Sequence, residues 1–316
     1  MNVVEVKKMI IEKRAYSKQM KMCVESNRKM GRFLRFDENA GNVNWKLVRF
    51  ISNLSYMLVA KNKNVKYHKI KGKINGYECI PSELRNDDIV ICIHGGGTLC
   101  GSAYGSLGFA TDVAAKAGMK VYCLEYGLAP EHKFPEGIDD IYEAYQEIVR
   151  LHPSSNIFVT GESAGAYLTI ALTCLCIKNK IRKPAAIFPH SPVIDFTGAV
   201  DRSAYEVKDP LLKEGSIEAI GELYCPNEDR TDYRISPLYF DEFAQFPPTL
   251  ITVDANEYLR GDSEKLHQIL VEKGVETKLY LYHNTYHAFG VTGTMTPETD
   301  EILEETIDLM KNVSKI

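Results

Sequence analysis

Short apolar segments alternate with longer amphipathic segments along most of the chain beyond residue 60. The short segments are almost wholly apolar, as in Ile89–Ile93, and this is typical of strands that are buried on both faces. Six such strands are predicted, at 88–93, 119–125, 156–160, 185–189, 248–253 and 277–282. Helical periodicity predicts helices near 104–117, 137–151, 164–178, 262–273 and 298–314. The alternation indicates an α/β fold, with a mainly parallel central sheet covered by helices on both faces.

Residues 1–60 differ from this pattern, because apolar and charged side chains recur there at helical spacing. We expect these residues to form an N-terminal helical cap segment. The apolar positions that indicate a face packed on the rest of the protein are Met9, Ile10, Met20, Phe33, Leu34 and Phe36. The segment is also rich in lysine and arginine, which we interpret as a solvated helix face in preference to a membrane-binding surface.

Residues 61–316 are predicted to form the core, which begins with two antiparallel strands at 65–70 and 77–80 around Asn75-Gly76. The alternation of strands and helices is interrupted once, at about 196–246, by a polar segment rich in Asp, Glu and Tyr. We expect this segment to be an insertion above the sheet, where it completes a cap together with the N-terminal helices.

The composition narrows the class of protein. The 316 residues are 45% hydrophobic and 25% charged, which is ordinary for a globular protein, and a formal charge of −4 gives no reason to expect nucleic acid as a partner. No apolar stretch approaches the ~20 residues that span a bilayer, so no stable membrane insertion is expected. The eight cysteines show neither CxxC pairs nor a ligand pattern with histidine, so no metal site is predicted. Reduced thiols and the lack of a visible secretory signal predict a cytoplasmic protein.

The segment Gly161–Gly165 reads G-x-S-x-G and joins a predicted strand to an apolar helix. This is the context of a nucleophile elbow, in which small neighbours give room to a strained turn and the serine hydroxyl projects at the N-terminus of the helix. Without that context the motif would be an ordinary strand–helix turn. We therefore predict that Ser163 is the nucleophile of a serine hydrolase.

Three glycines after the first buried strand form the second candidate element, in His94-Gly95-Gly96-Gly97. Consecutive glycines leave backbone N–H groups unshielded, so that they can converge on one anion. The spacing matches neither a dinucleotide-binding nor a Walker A loop, which argues against a phosphate site. We predict an oxyanion hole formed by the N–H groups of Gly95, Gly96, Gly97 and Ala164, the residue after the serine.

The base and the acid of a triad must follow the serine in the order serine, acid, histidine. The histidines after the turn are His190, His267, His283 and His287. His267 lies in a helical stretch and is expected at the surface, whereas His287 lies in a loop beyond the last strand and can reach the serine. We predict His287 as the base. Asp254 and Glu257 both follow the sixth strand, and either carboxylate could orient the histidine.

These residues together resemble the hormone-sensitive-lipase-like esterases, also called the alpha/beta hydrolase fold-3 group. The shared blocks, which span about 88–292, are His94–Gly97 with Gly101-Ser102, Tyr126–Pro135, Gly161–Gly165, Ser191-Pro192 and Phe246–Pro248. The resemblance implies an α/β-hydrolase fold with a helical cap. It also implies that Glu257 is the acid, because Leu259-Arg260 anchors the family pattern there, with Asp254 as the alternative. The implied activity is hydrolysis of short- to medium-chain carboxylic esters without a cofactor.

Two other functions use the same fold. A receptor-like binding protein would keep the pocket and lose the catalytic histidine, and the presence of His287 argues against this reading. A deacetylase or amidase would use the same triad on another bond. The expected partner in each case is a small molecule, an ester in the preferred reading, and a homodimer is a further possibility.

Overall fold

A nine-stranded sheet forms the centre of the computed structural model, which describes residues 10–31, 36–37, 39–57 and 59–315. Within these residues the strands are β1 (Ile10–Arg14), β2 (Val65–Ile70), β3 (Gly76–Pro81), β4 (Ile89–Ile93), β5 (Lys120–Leu124), β6 (Ile157–Glu162), β7 (Ala186–His190), β8 (Thr249–Asp254) and β9 (Thr277–His283). The α-helices are α1 (Lys18–Met30), α2 (Trp45–Tyr56), α3 (Leu107–Ala117), α4 (Glu136–Leu151), α5 (Ala164–Lys178), α6 (Ser216–Tyr224), α7 (Arg260–Glu272) and α8 (Pro297–Ser314).

The order of the strands across the sheet is β1-β9-β8-β7-β6-β4-β5-β3-β2. Neighbouring strands from β1 to β5 in this order are parallel, and the two pairs that involve β3 are antiparallel. The six predicted buried strands, the hairpin at the start of the core and the five predicted helices are all present, with bounds that shift by a few residues. The predicted fold class is therefore confirmed.

Two hydrophobic cores lie on the two faces of the sheet, and β4 contributes to both. Ile89, Ile91 and Ile93 pack in the core with α4, α5 and α7, whereas Val90 and Cys92 pack in the core with α3 and α8. This alternation explains why β4 is apolar at every position: each side chain meets a layer of helices. The carboxyl ends of the parallel strands consequently carry the loops of the candidate site at one edge.

The helical spacing predicted for the start of the chain is wrong at residues 10–14. These residues form β1, which pairs in parallel with β9 from Ile10 opposite Leu279 to Arg14 opposite His283. The edge of β9 offers a row of backbone hydrogen bonds, and this tertiary pairing outweighs a weak local periodicity. Met20 and Phe36 are buried as expected, while Met9, Phe33 and Leu34 lie outside the described residues. None of the described helices is long and apolar enough to cross a membrane.

A buried ion pair fastens the 196–246 segment to α7. The Arg202 guanidinium donates to the Asp262 carboxylate at 2.7 Å and 2.9 Å, and the two side chains are 5% and 0% exposed. Arg202 also donates to the Asp195 carbonyl, and Asp262 accepts from the Ile194 N–H. The bonds to Asp262 join the segment after β7 to the start of α7, and the bond to the Asp195 carbonyl fixes Arg202 within that segment.

Replacing Arg202 by methionine should lower the free energy of unfolding by about 3–5 kcal/mol, because the Asp262 carboxylate then stays buried without its partner. Urea denaturation of the wild type and the variant measures this difference. Arg150→Met is the matched control, since Arg150 pairs with Glu147 at the surface, and it should leave the transition unchanged. Equal transitions for the two variants would show that the buried pair does not hold the segment.

Candidate active site

The predicted nucleophile, Ser163, lies in a sharp turn between β6 and α5. Ser163 has φ 53° and ψ −116°, a strained conformation for a residue other than glycine. A Cβ added at Gly165 would lie 2.0 Å from the Ile93 carbonyl oxygen, and one at Gly161 would lie 2.4 Å from the Gly165 oxygen. Glycine is therefore required on both sides of Ser163, which stands at the N-terminus of α5 and lines a cavity of about 330 Å³.

The predicted histidine and one of the two predicted carboxylates are in contact. His287 lies in the loop after β9, lines the same cavity as Ser163, and is 8% exposed. Its Nδ1 is 3.2 Å from Oε1 of Glu257, which lies between β8 and α7 and is 1% exposed. A carboxylate at this ring nitrogen favours the tautomer that leaves Nε2 free to accept a proton.

Asp254, the alternative acid, is engaged elsewhere. Its Oδ2 accepts from the N–H and the hydroxyl of Thr285 at 2.9 Å and 2.7 Å, and its Oδ1 accepts from the Asn256 N–H at 2.8 Å. Thr285 is two residues before His287, so the Asp254 carboxylate holds the loop that carries the histidine. The structure brings Glu257, and not Asp254, to the imidazole.

The loop after β4 reaches Ser163, but its first glycine is not available as an oxyanion donor. The Gly95 N–H donates to the Glu162 carboxylate at 2.8 Å. The prediction that Gly95 belongs to an oxyanion hole is therefore wrong, because its donor already has an acceptor. Gly96 and Gly97 have φ values of 110° and 63° and line the cavity together with Ala164.

Three residues that the sequence interpretation did not assign to the site support it. The Ser191 hydroxyl donates to Oε2 of Glu257 at 2.8 Å and accepts from the Ala288 N–H at 3.0 Å, so it links the acid to the loop of the histidine. The ring of Tyr126 stacks on His94 at 4.2 Å and its hydroxyl donates to the His94 carbonyl at 2.8 Å. Thr285, which donates to Asp254, is the third. Ser191 and Tyr126 both lie in sequence blocks shared with the esterases, and this resemblance is the signal that could have identified them as residues of the site.

Charge and burial set the proton affinities of the site. Burial alone would lower the pKa of His287, but the adjacent Glu257 carboxylate outweighs it and raises that pKa to about 9. Burial raises the pKa of Glu162 to about 7, although the Gly95 N–H favours its charged form. Both groups face the cavity of Ser163.

The other three histidines have different surroundings. His190 is buried against the Thr252 hydroxyl, and burial lowers its pKa to about 4. His267 was expected at the surface and is instead fully buried in α7, 3.2 Å from the Thr277 hydroxyl, because α7 turns that face onto the sheet. His283 faces Glu12 of β1 at 3.5 Å. None of these three histidines lines the cavity of Ser163.

Apolar side chains form most of the cavity wall. Those contributed by the 196–246 segment and by the residues that precede α2 are Phe36, Phe196, Leu211, Leu212, Ile217 and Ile220. Asn27 of α1 is a polar exception, and its Oδ1 is buried without a hydrogen-bond partner. In the described part of the chain, no group of three or more His, Cys, Asp or Glu side chains is arranged to hold a metal ion.

Comparisons with known proteins identify relatives among esterases and alpha/beta hydrolases. The chain is 29% identical over 252 residues to an esterase of Acinetobacter venetianus, with 78% of this chain and 82% of that protein covered. It is 30% identical over 238 residues to a putative alpha/beta hydrolase of Acanthamoeba polyphaga mimivirus, with 72% and 68% covered.

The fold is also that of solved esterase structures. A crystal structure of an esterase from the bacterial hormone-sensitive lipase family superposes with a TM-score of 0.84 at 22% identity, over 94% of this chain and 99% of that one. The family model described as alpha/beta hydrolase fold matches residues 90–291. That match covers more than half of the chain and confirms the resemblance found in the sequence: the protein belongs to the alpha/beta hydrolase fold family.

Proposed function

We propose that the protein is a serine carboxylesterase, which hydrolyses short- to medium-chain carboxylic esters through an acyl-enzyme. The observation that carries the proposal is the buried contact between His287 and Glu257, at a cavity that also holds a strained, helix-terminal Ser163. Relatives named esterase, such as the one from Acinetobacter venetianus, support the same class of reaction.

In the proposed mechanism the Ser163 hydroxyl attacks the ester carbonyl carbon while Nε2 of His287 accepts its proton. The Glu257 carboxylate orients the imidazole and stabilises the cation that forms. The N–H groups of Gly96, Gly97 and Ala164 bind the oxyanion of the tetrahedral intermediate. His287 then protonates the leaving alcohol, and water attacks the acyl-enzyme with His287 as base, which releases the acid and restores Ser163.

The cap of the proposed enzyme consists of the part of the N-terminal segment that follows β1, up to about residue 60, and the insertion at about 196–246. Phe36 of the first and Leu212, Ile217 and Ile220 of the second line the cavity beside Ser163. Apolar walls around a small volume favour short acyl chains over long ones. No cofactor enters the mechanism, because serine, histidine and carboxylate carry all the proton transfers.

Two alternative functions, the cellular location and the oligomeric state can be assessed from individual residues. A receptor-like protein is disfavoured because His287 is present and paired with Glu257. A deacetylase or amidase would need the same mechanism, and a substrate panel separates it from an esterase. We further propose a cytoplasmic location, since the eight cysteines are free thiols and seven of them are buried. A homodimer stays a prediction, which light scattering would test.

Ser163→Ala should abolish ester hydrolysis and leave the fold intact. Loss of a triad nucleophile costs on the order of 10⁶ in kcat in subtilisin. The measurement is the turnover of p-nitrophenyl butyrate by pure protein, with circular dichroism as the control for folding. Activity within about tenfold of the wild type would remove Ser163 from the mechanism.

Glu257→Gln should lower kcat by roughly 10²–10⁴, whereas Asp254→Asn should stay within about tenfold of the wild type.

The dependence of kcat/KM on pH gives a second test of the same assignment. Neutral His287 is the active base, so kcat/KM should rise with pH towards the pKa of about 9. Without the Glu257 charge, burial lowers that pKa, and the rising limb of Glu257→Gln should move to lower pH. A crippled Asp254→Asn beside a nearly normal Glu257→Gln would reverse the assignment.

Short acyl chains should be the best substrates, because the cavity of about 330 Å³ is closed by bulky apolar side chains. A series of p-nitrophenyl esters from acetate to laurate gives kcat/KM against chain length. A maximum at twelve carbons or beyond would contradict the proposed pocket. Hydrolysis of matched amides in preference to these esters would favour the amidase alternative.

A further inference from the structure

Helix α2 exposes an apolar face to solvent. Leu47, Phe50, Ile51 and Leu54 occupy positions i, i+3, i+4 and i+7 of the helix, and they are 53%, 62%, 57% and 51% exposed. Met57, just beyond the helix, is 63% exposed. These five side chains are called the α2 apolar face here. Monomeric proteins seldom expose a contiguous apolar patch of this kind unless it meets a partner.

The opposite side of α2 is fastened to the loop after β4, so the α2 apolar face cannot turn inward. Nε of Arg49 donates to the Leu99 carbonyl at 2.7 Å, and the Ser102 hydroxyl donates to Oδ1 of Asn53 at 2.6 Å. Trp45 stacks on Phe36 with ring centroids 5.6 Å apart. Ser102 and Phe36 line the cavity of Ser163. The helix therefore joins the cavity wall on one side to an exposed apolar surface on the other.

Basic and acidic residues are unevenly distributed along the sequence, and α2 lies within the more basic part. Residues 1–73 contain 18 lysine and arginine residues against 5 aspartate and glutamate residues. The remaining residues contain 20 basic and 37 acidic side chains. Lys46, next to Leu47 in the sequence, has a side chain that is 79% exposed, and its Nζ lies 4.0 Å from Oε1 of Glu131. An otherwise acidic protein thus carries its positive charge in the segment that presents the apolar helix face.

We propose that the α2 apolar face docks on an anionic lipid surface. An amphipathic helix with basic residues near its apolar face lies in the plane of such a surface, with the apolar side chains at the boundary of headgroups and acyl chains. A second copy of the chain fits less well, because two strongly cationic segments would then meet. The inference rests on the proposed function, since apolar esters accumulate at a lipid surface, and it replaces the interpretation of the basic residues as a merely solvated face.

Vesicle sedimentation tests the proposal without any hydrolysis. The full-length wild type is mixed with vesicles of phosphatidylcholine alone, or of equal parts phosphatidylcholine and phosphatidylglycerol, at low and high salt. The test variant is Phe50→Gln with Leu54→Gln, which keeps helix propensity and changes no residue that lines the cavity. Leu84→Gln with Leu151→Gln is the matched control, because these two leucines are 49% and 48% exposed away from α2. Turnover of p-nitrophenyl butyrate in solution is measured for all three proteins.

The wild type and the control should bind the anionic vesicles, and the α2 variant should bind at least about tenfold more weakly. Binding should fall by a similar factor at high salt or on phosphatidylcholine alone, while solution turnover stays within about twofold for all three proteins. The proposal is overturned if the wild type does not bind the vesicles, or if its binding is the same with and without the anionic lipid. It is also overturned if the α2 variant binds as tightly as the wild type. A dimer that only the α2 variant loses, seen by light scattering, assigns the face to self-association instead. Failure of all three proteins to hydrolyse the ester rejects the proposed function and leaves the binding result independent.

Discussion

The candidate site depends on how closely the turn at Ser163 approaches the end of β4. A side chain at Gly165 would meet the Ile93 carbonyl at 2.0 Å, so the contact exists only because both flanking positions are glycine. The same approach places the loop after β4 directly against the turn, where Gly95 bonds to Glu162. One backbone contact thereby positions both the loop of Gly96 and Gly97, proposed to bind the oxyanion, and Ser163, proposed as the nucleophile. The strained backbone conformation of Ser163 persists because the strands and α5 around it are buried and hold the turn in place.

Hydrogen bonds from side chains then connect the loops that follow three neighbouring strands, β7, β8 and β9. Ser191, after β7, reaches both Glu257, after β8, and Ala288, after β9. Asp254, at the end of β8, fixes Thr285 in the loop of His287. Each buried donor in this network has an acceptor, and such satisfied networks hold reacting groups in one geometry. The proposed acid and base consequently need little rearrangement when a substrate arrives.

The N-terminal segment contributes to the molecule in three separate ways. Its first described residues extend the sheet as β1, Phe36 lines the cavity, and α2 presents an apolar face outward. Its positive charge lies within a chain whose formal charge is −4. Part of the cavity wall and the exposed apolar surface are therefore built from one segment.

The sequence by itself determined the order of the buried strands and helices, the turn around Ser163 and the loop of His287. These features depend on short-range periodicity and on the steric needs of one tight turn, which neighbouring residues encode. Only the tertiary structure decided the strand at 10–14, the burial of His267 and the loss of Gly95 as an oxyanion donor. It also brought Glu257 rather than Asp254 to the imidazole, a choice that the residues alone left open. Each of these outcomes depends on a partner far along the chain, such as Glu162 for Gly95 and Leu279 for Ile10. Local pattern carries no information about which distant donor or strand edge will be adjacent, because only the packing of the two cores against the sheet brings them together.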